Sequence, residues 1–387
     1  MTEGGKMEYR ELGKTGKKVS VIGLGGEYVD TKPYEQVKSV IDASLDNGIN
    51  IIDVFMPGTE IRTNLAKALG DKRDKMMIQG HMGSTDIDQQ YNISRDFSTV
   101  KKYFEELLDI FGGFVEFGML YFIDSEKDFQ NVFETELADY AARLKAQGKI
   151  GHIGFSSHNP ETAIRAINTG LPEMFLFSVN PAFDMLPSDE YTMDHLEHGF
   201  KPELLTGIEP KRAELYKLCE QKQIGITVMK TYCAGKLLSP DHTPFSRAMT
   251  EVECISYALS RPSVASVLIG CKDTAEIEAA MAYLSASEAE KDYTDIIGTM
   301  RSDFSGNCVY CSHCQPCPVK IDIAAVMKYL DIAKLDEKNI PPSVISHYME
   351  LASGGGNCTE CGNCEEKCPF AVPIIANMAE AEKLFNP

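Results

Sequence analysis

Between about residue 18 and residue 285, short apolar runs alternate eight times with longer amphipathic segments, and no other feature narrows the fold as far. The runs are Val19–Leu24, Ile49–Val54, Met76–Gly80, Met119–Ile123, Ile150–Phe155, Met174–Val179, Ile224–Met229 and Val264–Ile269. Helical periodicity fills Tyr34–Asn47, Phe97–Phe111, Phe133–Gln147, Pro160–Asn168, Lys211–Gln221, Arg247–Ser260 and Thr274–Leu284. A strand that must pass through a helix before the next strand returns parallel to it. Eight such units are the count of an α/β (β/α)8 TIM barrel, here over residues 1–285. Glycine follows the last turn at Asn47-Gly48, Gln147-Gly148 and Thr169-Gly170, as helix ends require. Leu186–Pro210 is a long polar insertion after the sixth strand. It lies on the face where such barrels bind substrate, and it reads equally as a lid or as a surface loop.

Eight of the twelve cysteines fall in two tight runs near the C-terminus. The first is Cys308, Cys311, Cys314 and Cys317, followed by Pro318; the second is Cys358, Cys361, Cys364 and Cys368, followed by Pro369. Three thiolates at two-residue gaps can wrap three corners of an iron–sulfur cube, and the fourth, before proline, serves the other cube when two runs are paired. Two 4Fe–4S clusters are therefore expected, one on Cys308, Cys311, Cys314 and Cys368, the other on Cys358, Cys361, Cys364 and Cys317. Zinc sites place pairs of such cysteines across a long spacer instead. The first run is one residue short before its last cysteine. Residues 286–304 read as a linker helix and 305–387 as a small ferredoxin-like domain. That domain is mainly helical over Asp322–Ala352, broken at Pro341-Pro342, and turns at Gly354–Gly356 into the second run. Cys219, Cys254 and Cys271 read as small buried apolar residues.

The net charge of −19 argues against a nucleic-acid surface, though it would suit a basic redox partner protein. No run of 18 apolar residues predicts a membrane span, and the N-terminus lacks the pattern of a signal peptide. Cluster-ligating thiolates imply a reducing cytoplasm.

The opening Met7–Gly26, together with Gly48–Asp53, Gly148–Ser156 and Arg261–Gly270, resembles the aldo-keto reductases. The cysteine-rich tail is similar to a branch of that family with a C-terminal dicluster module. The resemblance implies a catalytic tyrosine, lysine, aspartate and histidine. The aspartate is kept as Asp53, but the tyrosine position is Gly58, the lysine position His81 and the histidine position Asp124. Of the nicotinamide contacts it implies, Ser156 is kept. Ser157, Ser178 and Met229 stand where an asparagine, a glutamine and a stacking aromatic are expected. At the phosphate end, Gly270 precedes a helix start able to hold an anion, with Lys272 in reach. The scaffold is thus a reductase's, without the residues for the family's carbonyl reduction.

The strand ends present Glu27, Asp53, His81, Asp124, His158, Lys230 and Cys233. His81 could act as a general acid with Asp53 holding its tautomer. Asp124 could take a proton or anchor a hydroxyl, and Lys230 could bind a carboxylate. His158 could equally cap the helix that starts at Pro160. The function expected is a cytoplasmic iron–sulfur oxidoreductase exchanging electrons with a small organic substrate, with flavin, NADP(H) or neither in the barrel. The alternative is a non-catalytic electron-transfer or binding subunit with a degenerate barrel.

Overall fold

The computed structural model describes residues 5–87, 90–205, 207–297 and 306–386. Eight parallel strands close a barrel in sequence order: β1 (Ile22–Gly25), β2 (Ile51–Val54), β3 (Met77–Met82), β4 (Val115–Leu120), β5 (Ile150–Ser157), β6 (Met174–Ser178), β7 (Gly225–Met229) and β8 (Val264–Gly270). Strands covered on both faces read as continuous apolar runs, and β2 and β6 are buried at every residue. Leu12, Val19, Ile51, Phe117, Met119, Met174, Leu176, Ala265 and Leu268 form one of the two buried apolar clusters. Among the described residues no helix is long and apolar enough to cross a membrane.

The boundaries depart from the sequence expectation where tertiary pairing intervenes. Val19–Leu24 divides: Lys18–Ser20 pairs antiparallel with Tyr9–Glu11, and only Ile22–Gly25 enters the barrel. The turn of that ribbon lies on the N-terminal end of β7. Gly13 has φ +51, and a Cβ there would come within 2.3 Å of Gln223 O and Gly225 N, so only glycine fits. The fourth strand is Val115–Leu120, four residues earlier than expected at its start. Its apolar run continues past the barrel edge through Tyr121 and Phe122, which leave the sheet with φ +56 at Phe122. Phe133–Gln147 holds the helix Glu136–Ala146, and a further helix, Glu126–Phe133, precedes it, started by a capping box of Ser125 and Asp128. Arg247–Ser260 starts only at Glu251, where Thr250 and Glu253 form another. The linker is not one helix over its described part: Glu288–Lys291 and Thr294–Ile297 flank an extended Asp292, and residues 298–304 lie outside the described residues. Tyr293, at that break, is fully buried, with its hydroxyl 2.9 Å from Ser260 Oγ.

The C-terminal segment is helical, as its pattern predicts: Ile323–Ala333, Pro342–Met349, Asn363–Lys367 and Ile374–Phe385. Pro342 occupies the first turn of its helix, where its missing N–H costs nothing. Val326, Leu330, Val344, Met378 and Ala381 are buried, and Tyr348 stacks on Phe385 with ring centroids 4.1 Å apart. This unit meets the barrel beside the N-terminal ends of β7 and β8. Arg261, 2 % exposed, donates to Val309 O and Tyr293 Oη and lies over the rings of Tyr257 and Tyr310. His347 Nδ1 lies 3.7 Å from Glu220, which also accepts the Ser263 hydroxyl at 2.7 Å.

Candidate functional site

The C-terminal ends of the strands open into a cavity of about 460 Å³. Asp53, His81, Lys230, Ser156 and Gly270 line it, as do Glu27 and His158. Asp53 ends β2 and His81 lies near the end of β3, one strand over; Asp53 is in register with Gln79. His81 is 1 % exposed, and its Nε2 is 2.7 Å from Asp53 Oδ1, which also accepts the Gln79 side-chain amide at 3.0 Å. A carboxylate can only accept, so Nε2 carries a proton, and in the neutral form of the ring the lone pair is left at Nδ1. Among the described residues Nδ1 has no hydrogen-bond partner.

Aromatic rings wall one side. Tyr121 meets His81 edge-on at 5.2 Å and stacks on Phe55 at 6.1 Å, and Tyr91 meets Phe55 at 5.5 Å. Burial, then the nearby carboxylates of Asp53 and Glu27, pushes the Tyr121 hydroxyl well above the usual phenol range. Burial and a hydrogen bond to Asp30 do the same to Tyr91. Glu251 and Glu276 complete a lining in which Lys230 is the one lysine or arginine.

Asp124 does not stand in the cavity. It is buried behind His158, accepting from His158 Nδ1 at 2.9 Å, from the His158 backbone N–H at 2.6 Å and from Ser157 Oγ at 3.0 Å. Burial alone would raise its carboxyl, but His158 and these donors outweigh it and hold Asp124 below its ordinary value. His158, not Asp124, is the wall residue, and the helix at Pro160 is capped by Asn159. The insertion after β6 lies over this corner: Tyr191 donates to Asp124 at 3.3 Å and Met193 lines the cavity.

Of the residues expected to hold a nucleotide, Ser156 accepts the Phe122 N–H at 2.9 Å, and Gly270 lies against the Tyr28 ring. Lys272 lies outside the lining and pairs with Glu276 at 2.7 Å. The helix start after Gly270 is capped by Asp273, which accepts the Glu276 N–H at 3.1 Å. Carboxylates already hold the place expected for a phosphate. Gly58 is the N-cap of the helix Thr59–Leu69 and contributes nothing to the cavity. Cys233 is fully buried, and burial pushes its thiol up to about 12.

Phe55 and Tyr121 are absent from the candidates drawn from the sequence, yet each directly follows the last residue of its strand. Counting to the barrel edge would have found Phe55 and Tyr121. Tyr91 belongs to the hairpin Ser84–Ile87 with Gln90–Ile93, which no sequence signal placed at the rim.

The two cysteine runs come together in the C-terminal unit, and none of their cysteines lines the rim cavity. Their first loops match: Tyr310 and Glu360 both have positive φ, 59° and 55°, and each donates its N–H at 3.4 Å to the sulfur two residues before, Cys308 and Cys358. Cys317 and Cys314 share a small cavity with Cys358, Cys361 and Cys364. Cys368 stands close enough to act electrostatically on Cys311 and Cys314. Gly306 donates to Phe370 O at 2.7 Å, tying the start of one run to the end of the other. Among the described residues no three His, Cys, Asp or Glu side chains converge on a point for a single metal ion.

The profile of the Aldo/keto reductase family matches residues 21–251. Two solved structures share the fold. A candidate aldo-keto reductase from Pseudomonas aeruginosa superposes with a TM-score of 0.54 at 20% identity, covering 73% of this chain and 97% of its own. The holo form of an aldo-keto reductase from Bacillus halodurans gives 0.56 at 17% identity, covering 74% and 94%. No curated protein matches the chain.

Proposed function

This chain belongs to the aldo/keto reductase family, and we propose that it is a cytoplasmic iron–sulfur oxidoreductase acting on a small organic substrate in the rim cavity. The observation that carries the reading is the way the two cysteine runs interleave, with Cys317 beside the second run and Cys368 beside the first. One 4Fe–4S cluster would be held by Cys308, Cys311, Cys314 and Cys368, and the other by Cys358, Cys361, Cys364 and Cys317. Bound there, the clusters would supply electrons one at a time. The N–H groups of Tyr310 and Glu360 would hold the first thiolate of each run, as donors around such sulfurs do.

At the rim, Asp53 fixes the His81 tautomer so that Nδ1 can take a proton from the substrate, or return one, as its oxidation state changes. Phe55, Tyr121 and Phe122 exclude water from the organic part. For a phosphate of NADP(H) or of a flavin nucleotide to dock at the helix start, the Asp273 cap and the Lys272–Glu276 pair would first have to open.

A second reading, an electron carrier whose barrel only binds, is favoured by the loss of the family's catalytic tyrosine and lysine, where Gly58 and His81 stand.

Iron and sulfide analysis of anaerobically purified protein, with visible spectra before and after dithionite, tests the proposal. About eight irons per chain and bleaching on reduction are expected. Stoichiometric zinc without iron rejects the clusters. Reoxidation of reduced protein by a substrate, lost in His81→Ala, favours the enzyme over the carrier.

A further inference from the structure

Resting on the rim site as read above, we infer that the cavity selects a cationic amine carried on an apolar body. Two independent features of the lining point to such a ligand. The first is charge. Glu27, Asp53, Glu251 and Glu276 line the cavity against Lys230, with Glu276 in turn held by Lys272 from outside. An anionic substrate would meet this excess of carboxylates, whereas an ammonium group would complement it. The aromatic lining adds to the preference. Phe55 stacks on Tyr121 at 6.1 Å and meets Tyr91 edge to face at 5.5 Å, and all three line the cavity, where aromatic rings attract a cation. Glu27 lies near enough to Tyr28, Tyr91 and Tyr121 to act on all three hydroxyls.

The second feature is the unpartnered nitrogen. His81 is 1 % exposed and lines the cavity with Nδ1 unpaired, while Asp53 holds the proton on Nε2. A buried acceptor without a partner calls for a donor from the ligand. A primary or secondary ammonium supplies an N–H to Nδ1 and its charge to the carboxylates at once. A quaternary ammonium supplies only charge, and an alcohol only the donor. The volume, about 460 Å³, admits a molecule with a ring or short chain.

Calorimetric titration of the anaerobically purified full chain with benzylamine, benzyl alcohol, benzoate and NADPH tests the inference. Benzylamine should bind roughly five- to thirty-fold more tightly than benzyl alcohol, the range that cation–aromatic attraction supports. Glu27→Gln and Tyr121→Leu should each shrink that ratio, and added salt should lower it. Equal binding of the alcohol, tighter binding of benzoate or NADPH, no saturation by benzylamine below about 10 mM, or an unchanged ratio in both variants would overturn it. Dithionite bleaching is read on the same samples. Bleaching without amine preference rejects the ligand class and leaves the redox reading. Amine preference without iron rejects the redox reading alone.

Discussion

Exchange of the fourth cysteine between runs can be decided by counting irons in two double variants. If the clusters form as proposed, Cys308 and Cys368 serve one cluster, whereas Cys308 and Cys317, though in the same run, serve different ones. The structural basis is the placement of Cys317 in the small cavity with Cys358, Cys361 and Cys364, and of Cys368 beside Cys311 and Cys314. Cys308→Ala with Cys368→Ala then strips two ligands from one cube and none from the other. It should retain about four irons per chain, as an intact four-iron cluster with an unaltered reduced spectrum. Cys308→Ala with Cys317→Ala strips one ligand from each and should leave no intact cube. Both variants remove two thiols, so a general loss of folding affects them alike, and near-ultraviolet circular dichroism of the barrel tyrosines monitors it. If each run closes its own cube, the two results exchange places, and that outcome refutes the interleaved assignment while leaving the clusters themselves in place.

Asp53→Asn replaces the acceptor-only carboxylate with an amide that can also donate to Nε2, so the His81 tautomer is no longer fixed; turnover should fall roughly 10²–10⁴-fold with cluster bleaching unchanged, and full activity would remove the pair from the mechanism. Arg261→Met leaves Val309 O and Tyr293 short of a buried donor and should cost about 2–3 kcal/mol, read as a lower melting temperature and faster iron release; a neutral result would deny Arg261 its role in docking. The Glu220 carboxylate beside it raises the pKa of His347, so its contribution is fully present below the unfolded value of 6.5 and fades as pH climbs through the raised folded value. Proteolytic release of the C-terminal unit should therefore speed up as pH rises above 6.5, and His347→Gln should flatten that slope. Simple aldehydes should not be reduced with NADPH at anything near the ordinary turnover of ~10 per second, and a stopped-flow rate of that size would contradict the site as described.

The barrel was legible because its signal is repeated eight times and each strand is covered on both faces. The errors fall where apolar sequence continues past the sheet. Met119–Ile123 reads as one strand, but only its first two residues belong to β4, and Tyr121 and Phe122 form a wall of the cavity. The site was half legible. Asp53 and His81 were found because each occupies a strand end, and their contact follows from neighbouring strands in parallel register. Asp124 was misplaced because pattern cannot distinguish a carboxylate that faces a ligand from one that supports a histidine. Its partner, His158, comes from β5's end, and only the fold brings the two together. The grouping of the cysteines in the C-terminal unit was legible from spacing alone, whereas the position of that unit beside the N-terminal ends of β7 and β8 depends on Arg261 and Glu220, which carry no motif.

The environment of the phenols bears on the expectation that carbonyl reduction of the family's kind is not this chain's reaction. A tyrosine can protonate a carbonyl oxygen only if its hydroxyl is made more acidic, and the family's lysine does this. The rim does contain phenols, Tyr121 and Tyr91, although position 58 is glycine. Both are pushed in the opposite direction, by burial and by carboxylates, so neither is a competent acid near neutral pH. With histidine in place of the lysine, Asp53 has no fixed cation to pair with and instead orders an imidazole. The same substitutions that remove a proton donor of high pKa create an acceptor, His81 Nδ1, in an acidic and aromatic cavity. On the proposed reading, such a site would remove a proton from a positively charged substrate rather than deliver one to a neutral carbonyl.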